Sequence, residues 1–233
     1  MRFRDRLLSS LKAMQPVLDI PGVMIGGSQV PNLLQPEAAS TLVVSQDVDL
    51  VIPVAALGEV KDRLSHVEGY SQSIEEPSVW LADAPARLEV NFIGRDPALG
   101  TSQETYVLED LSLPLLVFGL LSHLSEGPPR EIEGVRVPLP RPAGLLLEKL
   151  LTERSGIKGD RDLLVALGLL LVSSSEDLGE ADDLFDALPE DEREMVRSNL
   201  AVLSLMQAMD GMPDPETNRS EIARFLKRIR KGR

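Results

Sequence analysis

Apolar residues recur at two different periods along this chain. Phe3, Leu7, Leu8, Leu11 and Met14 fall at spacings of three and four, which predicts a helix over residues 3–18, broken by Pro21-Gly22. Val23-Met24-Ile25 then predicts a short buried strand running into Gly26-Gly27-Ser28, with a short helix behind it that ends near Gln35-Pro36. The stretch from Pro36 to Gln46 reads as a connection, with room for a further strand at Thr41–Val44. In Asp47–Pro53 acids and apolar residues alternate, the period-two signature of a strand. Leu57, Val60 and Leu64 return to helical spacing over Ala55–Val67. Strands are predicted again at Ser78–Leu81 and Arg87–Ile93, separated by the turn-like Ala82–Ala86. Leu111–Leu124 is apolar almost throughout and predicts a helix after Pro114, while Arg130–Leu139 predicts an edge strand or extended arm.

After Pro142 the strand signature disappears. Residues 143–154, 160–172, 181–188, 190–209 and 217–230 all carry helical periodicity. The pattern therefore predicts an α+β protein, with an N-terminal mixed sheet flanked by helices over residues 1–140 and an all-helical domain over residues 141–233.

Composition narrows the chemistry. The 233 residues are 43% hydrophobic but only 3% aromatic, so the core must be built from Leu, Val, Ile and Ala. With no cysteine and only His66 and His123, thiol nucleophiles, disulfides and cysteine or histidine-rich metal centres are excluded. Any metal would be held by oxygen ligands, which favours magnesium or manganese. The start of the chain lacks the continuous apolar stretch of a signal peptide, and no apolar run is long enough to span a bilayer, so a cytoplasmic location is expected. Net charge is −13, yet residues 221–233 alone hold six Lys/Arg and one acid. An acidic body opposes broad nucleic-acid binding. The basic terminal helix leaves open a local RNA contact, against the simpler reading that Ile222, Phe225, Leu226 and Ile229 seat it while its cations face water.

Acids two residues apart are frequent here, but Asp47 and Asp49 differ in context. They sit in DVDLVIP, where Val48, Leu50 and Ile52 alternate with them. Residues two apart on a strand point to one side, so both carboxylates project together, and a divalent cation is the usual relief for their repulsion. Upstream, Gly26-Gly27-Ser28 at a strand-to-helix turn is suited to a phosphate, because glycine lets backbone approach closely and Ser28 adds a hydroxyl. A third acid, Glu89 in RLEVNFI, lies on the face opposite Leu88, Val90 and Phe92. Three such acids beside a phosphate-binding turn suit phosphoryl or nucleotidyl transfer.

IGGS, then DVDL, then an acid in a later strand resembles the nucleotidyltransferase superfamily, with its glycine turn, Asp-x-Asp and third carboxylate. The stretch VPLPRPAGLLLEKLLTERSGIKGDRDLL looks closest to AbiEii-like members. The resemblance covers roughly residues 20–170. It implies Asp47, Asp49 and Glu89 as catalytic and metal-holding residues, and Gly26, Gly27 and Ser28 as the nucleotide cradle. It further implies that Lys149 contacts the triphosphate, with Asp160 or Asp162 as a later acid. The implied activity is transfer of a nucleoside monophosphate from an NTP to an acceptor hydroxyl in protein, RNA or a small molecule, with Mg²⁺ or Mn²⁺.

Ser28 and Asp47 stand 19 residues apart, longer than the family's usual spacing, and Leu-Val-Val-Ser-Gln occupies the place of its basic residue before Asp-x-Asp. A second reading therefore stays open: a catalytically degenerate binding or regulatory module, in the manner of a toxin–antitoxin-like system.

Overall fold

The computed structural model describes residues 3–35, 47–99, 104–151 and 156–230. In chain order these form helices α1 (Phe3–Ala13) and α2 (Gln15–Leu18), strand β1 (Met24–Ile25), helix α3 (Val30–Leu34), strand β2 (Asp47–Pro53) and helix α4 (Leu57–Leu64). Strands β3 (Tyr70–Gln72), β4 (Val79–Ala82), β5 (Glu89–Arg95), β6 (Thr105–Leu108), β7 (Leu115–Phe118), β8 (Arg130–Ile132) and β9 (Val135–Val137) follow. Helices α5 (Pro142–Leu151), α6 (Gly156–Val172), α7 (Ser175–Ala187), α8 (Glu190–Leu205) and α9 (Arg219–Arg230) complete the α+β fold. They divide into two compact units. One gathers the described residues of 3–29, 47–122 and 126–140, and the other those of 30–35, 123–125 and 141–230.

The first unit is organised around a mixed sheet ordered β1-β2-β5-β4-β3. β2 runs parallel to β5 along its whole length, from Asp47 opposite Glu89 to Pro53 opposite Arg95. β1 closes onto β2 antiparallel, with Ile25 opposite Leu50. The far edge of β5 is shared, its middle pairing antiparallel with β4 and its later residues parallel with β7, which in turn pairs with β6. Val48, Leu50 and Ile52 on β2, and Val90 and Phe92 on β5, are buried, while the acids between them are half-exposed. That alternation is why one sheet face is core and the other presents the acids. Ser10 of α1 fixes the start of β5: its buried hydroxyl accepts from the Leu88 N–H at 2.7 Å and donates to the Arg6 carbonyl at 3.0 Å. The Tyr70 hydroxyl donates to the Leu88 carbonyl at 2.9 Å.

Three expectations change here. The helix over 3–18 is split at Met14, because Pro16 lacks the N–H that would continue its hydrogen-bond ladder. The apolar run 111–124 is not a helix but β7 followed by a 3-10 turn over Gly119–His123. Asp110 turns the chain there, its Oδ1 accepting from the Ser112 and Leu113 N–H groups, both at 2.9 Å, and Leu115 and Val117 then alternate inward. The expected arm over 130–139 is a two-stranded hairpin, turning at Glu133 and Gly134, both with positive φ. The expected strand at 41–44 lies outside the described residues.

In the second unit α5 is buried along its whole length, and α6, α7 and α8 pack around it. Gly144 lets the His123 carbonyl approach α5 closely, where a Cβ would collide with it. α6 starts at Gly156, four residues ahead of the expected start. α7 starts at Ser175 behind a capping box, with Ser174 accepting from the Asp177 N–H at 3.1 Å and Asp177 from the Ser174 N–H at 2.9 Å.

Candidate functional site

Strand alternation brings Asp47 and Asp49 onto one face, and the β2–β5 register sets Glu89 beside Asp47 and Asn91 beside Asp49. Asn91 joins the two aspartates directly. Its Nδ2 donates to Asp47 Oδ2 at 2.9 Å and to Asp49 Oδ1 at 3.2 Å. The two carboxylates therefore converge on a single polar atom. The Asn91 Oδ1 is buried and has no hydrogen-bond partner.

The glycine turn stands over the same pair. The Gly26 N–H donates to the Asp49 carbonyl at 2.9 Å, extending the β1–β2 ladder by one bond. A Cβ on Gly26 would lie 2.7 Å from Val51 Cγ2. Gly27 has φ +72°, and a Cβ there would collide with Asp49 Oδ2. Glycine is thus required at position 27 by conformation and by space. Gly26 contributes close approach alone, since its N–H is already engaged and cannot also meet a phosphate. The helix behind the turn is only a 3-10 turn over Gly27–Gln29 and the five residues of α3, too short for a substantial macrodipole. Ser28 lies half-exposed on that turn.

Glu89 has its carboxyl pushed above the ordinary range, first by loss of hydration and then by the negative charges of Asp47 and Glu76. It stands next to Asp47 without closing a cage: among the described residues no three Asp, Glu or His side chains form a ready-made metal cluster. The paired aspartates nonetheless fit a hard divalent cation, because magnesium commonly takes one or two carboxylates and completes its shell with water and substrate phosphate. The shared Asn91 donor marks where their oxygens converge.

Lys149 and Asp160 belong to the second unit. Lys149 is buried rather than on the helix surface, with Nζ 3.0 Å from Glu148 Oε2 and 3.3 Å from Asp162 Oδ1. Asp160 is exposed in the second turn of α6. Of the two later acids, the structure brings Asp162 to Lys149. In α9, Ile222, Phe225 and Ile229 are buried and Arg228 pairs with Asp182, so part of the basic charge is matched inside this unit.

Asn91 is the site residue that a search for acids passes over. The signal was present, since Asn91 lies two residues after Glu89 on the same strand face.

No family model matches the chain, and no curated protein is similar to it in sequence. Among solved structures the chain is similar to the antibiotic-resistance factor ANT(2'')-Ia, at 14% identity and TM-score 0.42, over 87% of this chain and 95% of that one. It is similar to an antigenic nucleotidyltransferase-like protein from Paracoccidioides brasiliensis at 16% identity and TM-score 0.45, over 94% and 93%. It is also similar to JHP933 from Helicobacter pylori at 16% identity and TM-score 0.36, over 96% and 91%. Likenesses this loose leave function to the geometry of the site.

Proposed function

We propose that this chain is a nucleotidyltransferase that moves a nucleoside monophosphate from an NTP to an acceptor hydroxyl. The observation that carries the reading is the convergence of Asp47 and Asp49 on the Asn91 amide, beside a glycine whose missing side chain leaves room for the Asp49 carboxylate. Asp47 and Asp49 would hold Mg²⁺ or Mn²⁺, which supplies charge neutralisation for the triphosphate and the departing pyrophosphate. Gly27 lets the turn approach the Asp49 carboxylate closely, and the Ser28 hydroxyl donates to a phosphate oxygen. Glu89 takes the proton of the acceptor hydroxyl as its oxygen bonds to the α-phosphorus and the bond to pyrophosphate breaks.

Lys149 is engaged with Glu148 and Asp162 and receives no step. The resemblance of the stretch from Val137 to Leu164 to AbiEii-like members is a reading of sequence alone, and the acceptor stays open. The reading is tested with four α-labelled NTPs, Mg²⁺ and pooled small-molecule, RNA and protein acceptors. Label should pass to one pool with the parent protein and fall to background with Asp49→Ala. Transfer by Asp49→Ala at the parent's rate contradicts the assignment.

A further inference from the structure

Two carboxylates on neighbouring positions of one strand face repel, and in this chain an amide holds them together. Only an N–H donor can face two carboxylate oxygens, so the Asn91 amide must turn its nitrogen toward Asp47 and Asp49. Its oxygen is consequently aimed away, into protein, where it is buried without a partner. A buried acceptor left unmatched is an unfavourable arrangement, tolerated here because the nitrogen relieves the charge of the pair.

Resting on the nucleotidyltransferase reading, we infer that Asn91 is a cation-responsive switch. With no cation bound, its NH₂ group bridges the two carboxylates. When a divalent cation enters between Asp47 and Asp49, the side-chain amide turns over and offers Oδ1 as a third oxygen ligand. Reversal about one torsion exchanges a donor that a cation would repel for an acceptor that it attracts. It also gives the orphaned oxygen a partner, while the NH₂ group takes the buried place that the oxygen leaves. Glu89 does not close a cage with the aspartates, so the third oxygen comes from the amide. The donor set becomes two carboxylates and one amide oxygen, all hard ligands suited to magnesium or manganese.

The test reads metal binding and side-chain state rather than turnover. Mn²⁺ titration by calorimetry on the full chain should show a site that Asp49→Asn removes. Asn91→Leu, which supplies neither donor nor ligand, should weaken that site by roughly 10–100-fold, the range seen when a metal's supporting groups are lost. Asn91→Asp guards against a folding defect in the leucine variant. It should melt lower than the parent without cation, because three carboxylates then face one another, and should gain more melting temperature from Mg²⁺ than the parent does. In the ¹⁵N-labelled parent, the Asn91 side-chain NH₂ resonances, assigned by their loss in Asn91→Asp, should move on saturation with Mg²⁺. If Asp49→Asn removes Mn²⁺ binding while Asn91→Leu binds like the parent and the NH₂ signals stay in place, the switch is wrong and the nucleotidyltransferase reading stands. If the parent binds no Mn²⁺ at all, both are overturned.

Discussion

Gly27 is held to glycine by two independent demands, a left-handed backbone and the carboxylate of Asp49 pressed against its Cα. Alanine there would cost about 1–2 kcal/mol in backbone conformation alone. It would also push Asp49 out of line with Asp47. Gly27→Ala should therefore lower the urea midpoint and weaken Mg²⁺-dependent nucleotide binding together; an unchanged midpoint would show that the turn is not as tight as described. At this scale the sequence was most informative where side-chain type alone decides the chemistry. Asp47 and Asp49 stood out as acids among alternating apolar residues. Asn91 did not, because an amide carries no charge and becomes meaningful only through the register that sets it opposite Asp49. The pairing of Lys149 with Asp162 was illegible for a related reason. It joins two helices through tertiary packing that no local spacing encodes.

Elements with a clean period were legible, and those without one were not. β2 covers Asp47–Pro53, the stretch that the alternating acids and apolar residues predict. β7 was read as a helix because Leu113 to Leu121 is nearly all apolar, and a continuous apolar run has no period to distinguish strand from helix. What decides it is the turn before it. The Asp110 carboxylate accepts from Lys61 on α4 at 2.7 Å as well as from the Ser112 and Leu113 backbone, fixing the entry into β7. The Lys61 ammonium first, and those N–H groups after it, hold the Asp110 carboxyl well below the ordinary aspartate range. A group depressed in the folded state stabilises above its unfolded pKa, and that stabilisation is lost as pH falls through the folded value. The melting-temperature gap between the parent and Asp110→Asn should thus be full at neutral pH and shrink as pH drops below about 4. A gap that stays constant through that range would show that the carboxylate charge plays no part in holding the turn. Short strands such as β3 and β6 were missed because three or four residues are too few to establish a period.

Across the whole molecule, charge sets the terms on which a nucleotide can bind. The chain carries −13, and the basic end of α9 is partly matched within its own unit through Arg228 and Asp182. On the proposed function, a triphosphate approaching Asp47 and Asp49 would meet repulsion from the pair and from the body as a whole, and its binding would depend on a cation that satisfies phosphate and carboxylates together. Among the described residues no helix is long and apolar enough to cross a membrane. The helical unit takes in residues 30–35 and 123–125 besides those after Pro140. Contributions from so far upstream cannot be seen in a linear pattern. The most direct test is calorimetric titration of the parent and of Asp49→Ala with ATP, GTP, CTP and UTP, each with and without Mg²⁺. At least one nucleotide should bind the parent at a single site only when Mg²⁺ is present, and Asp49→Ala should give no heat with it; silence from the parent with all four, or equal binding by Asp49→Ala, would contradict the account.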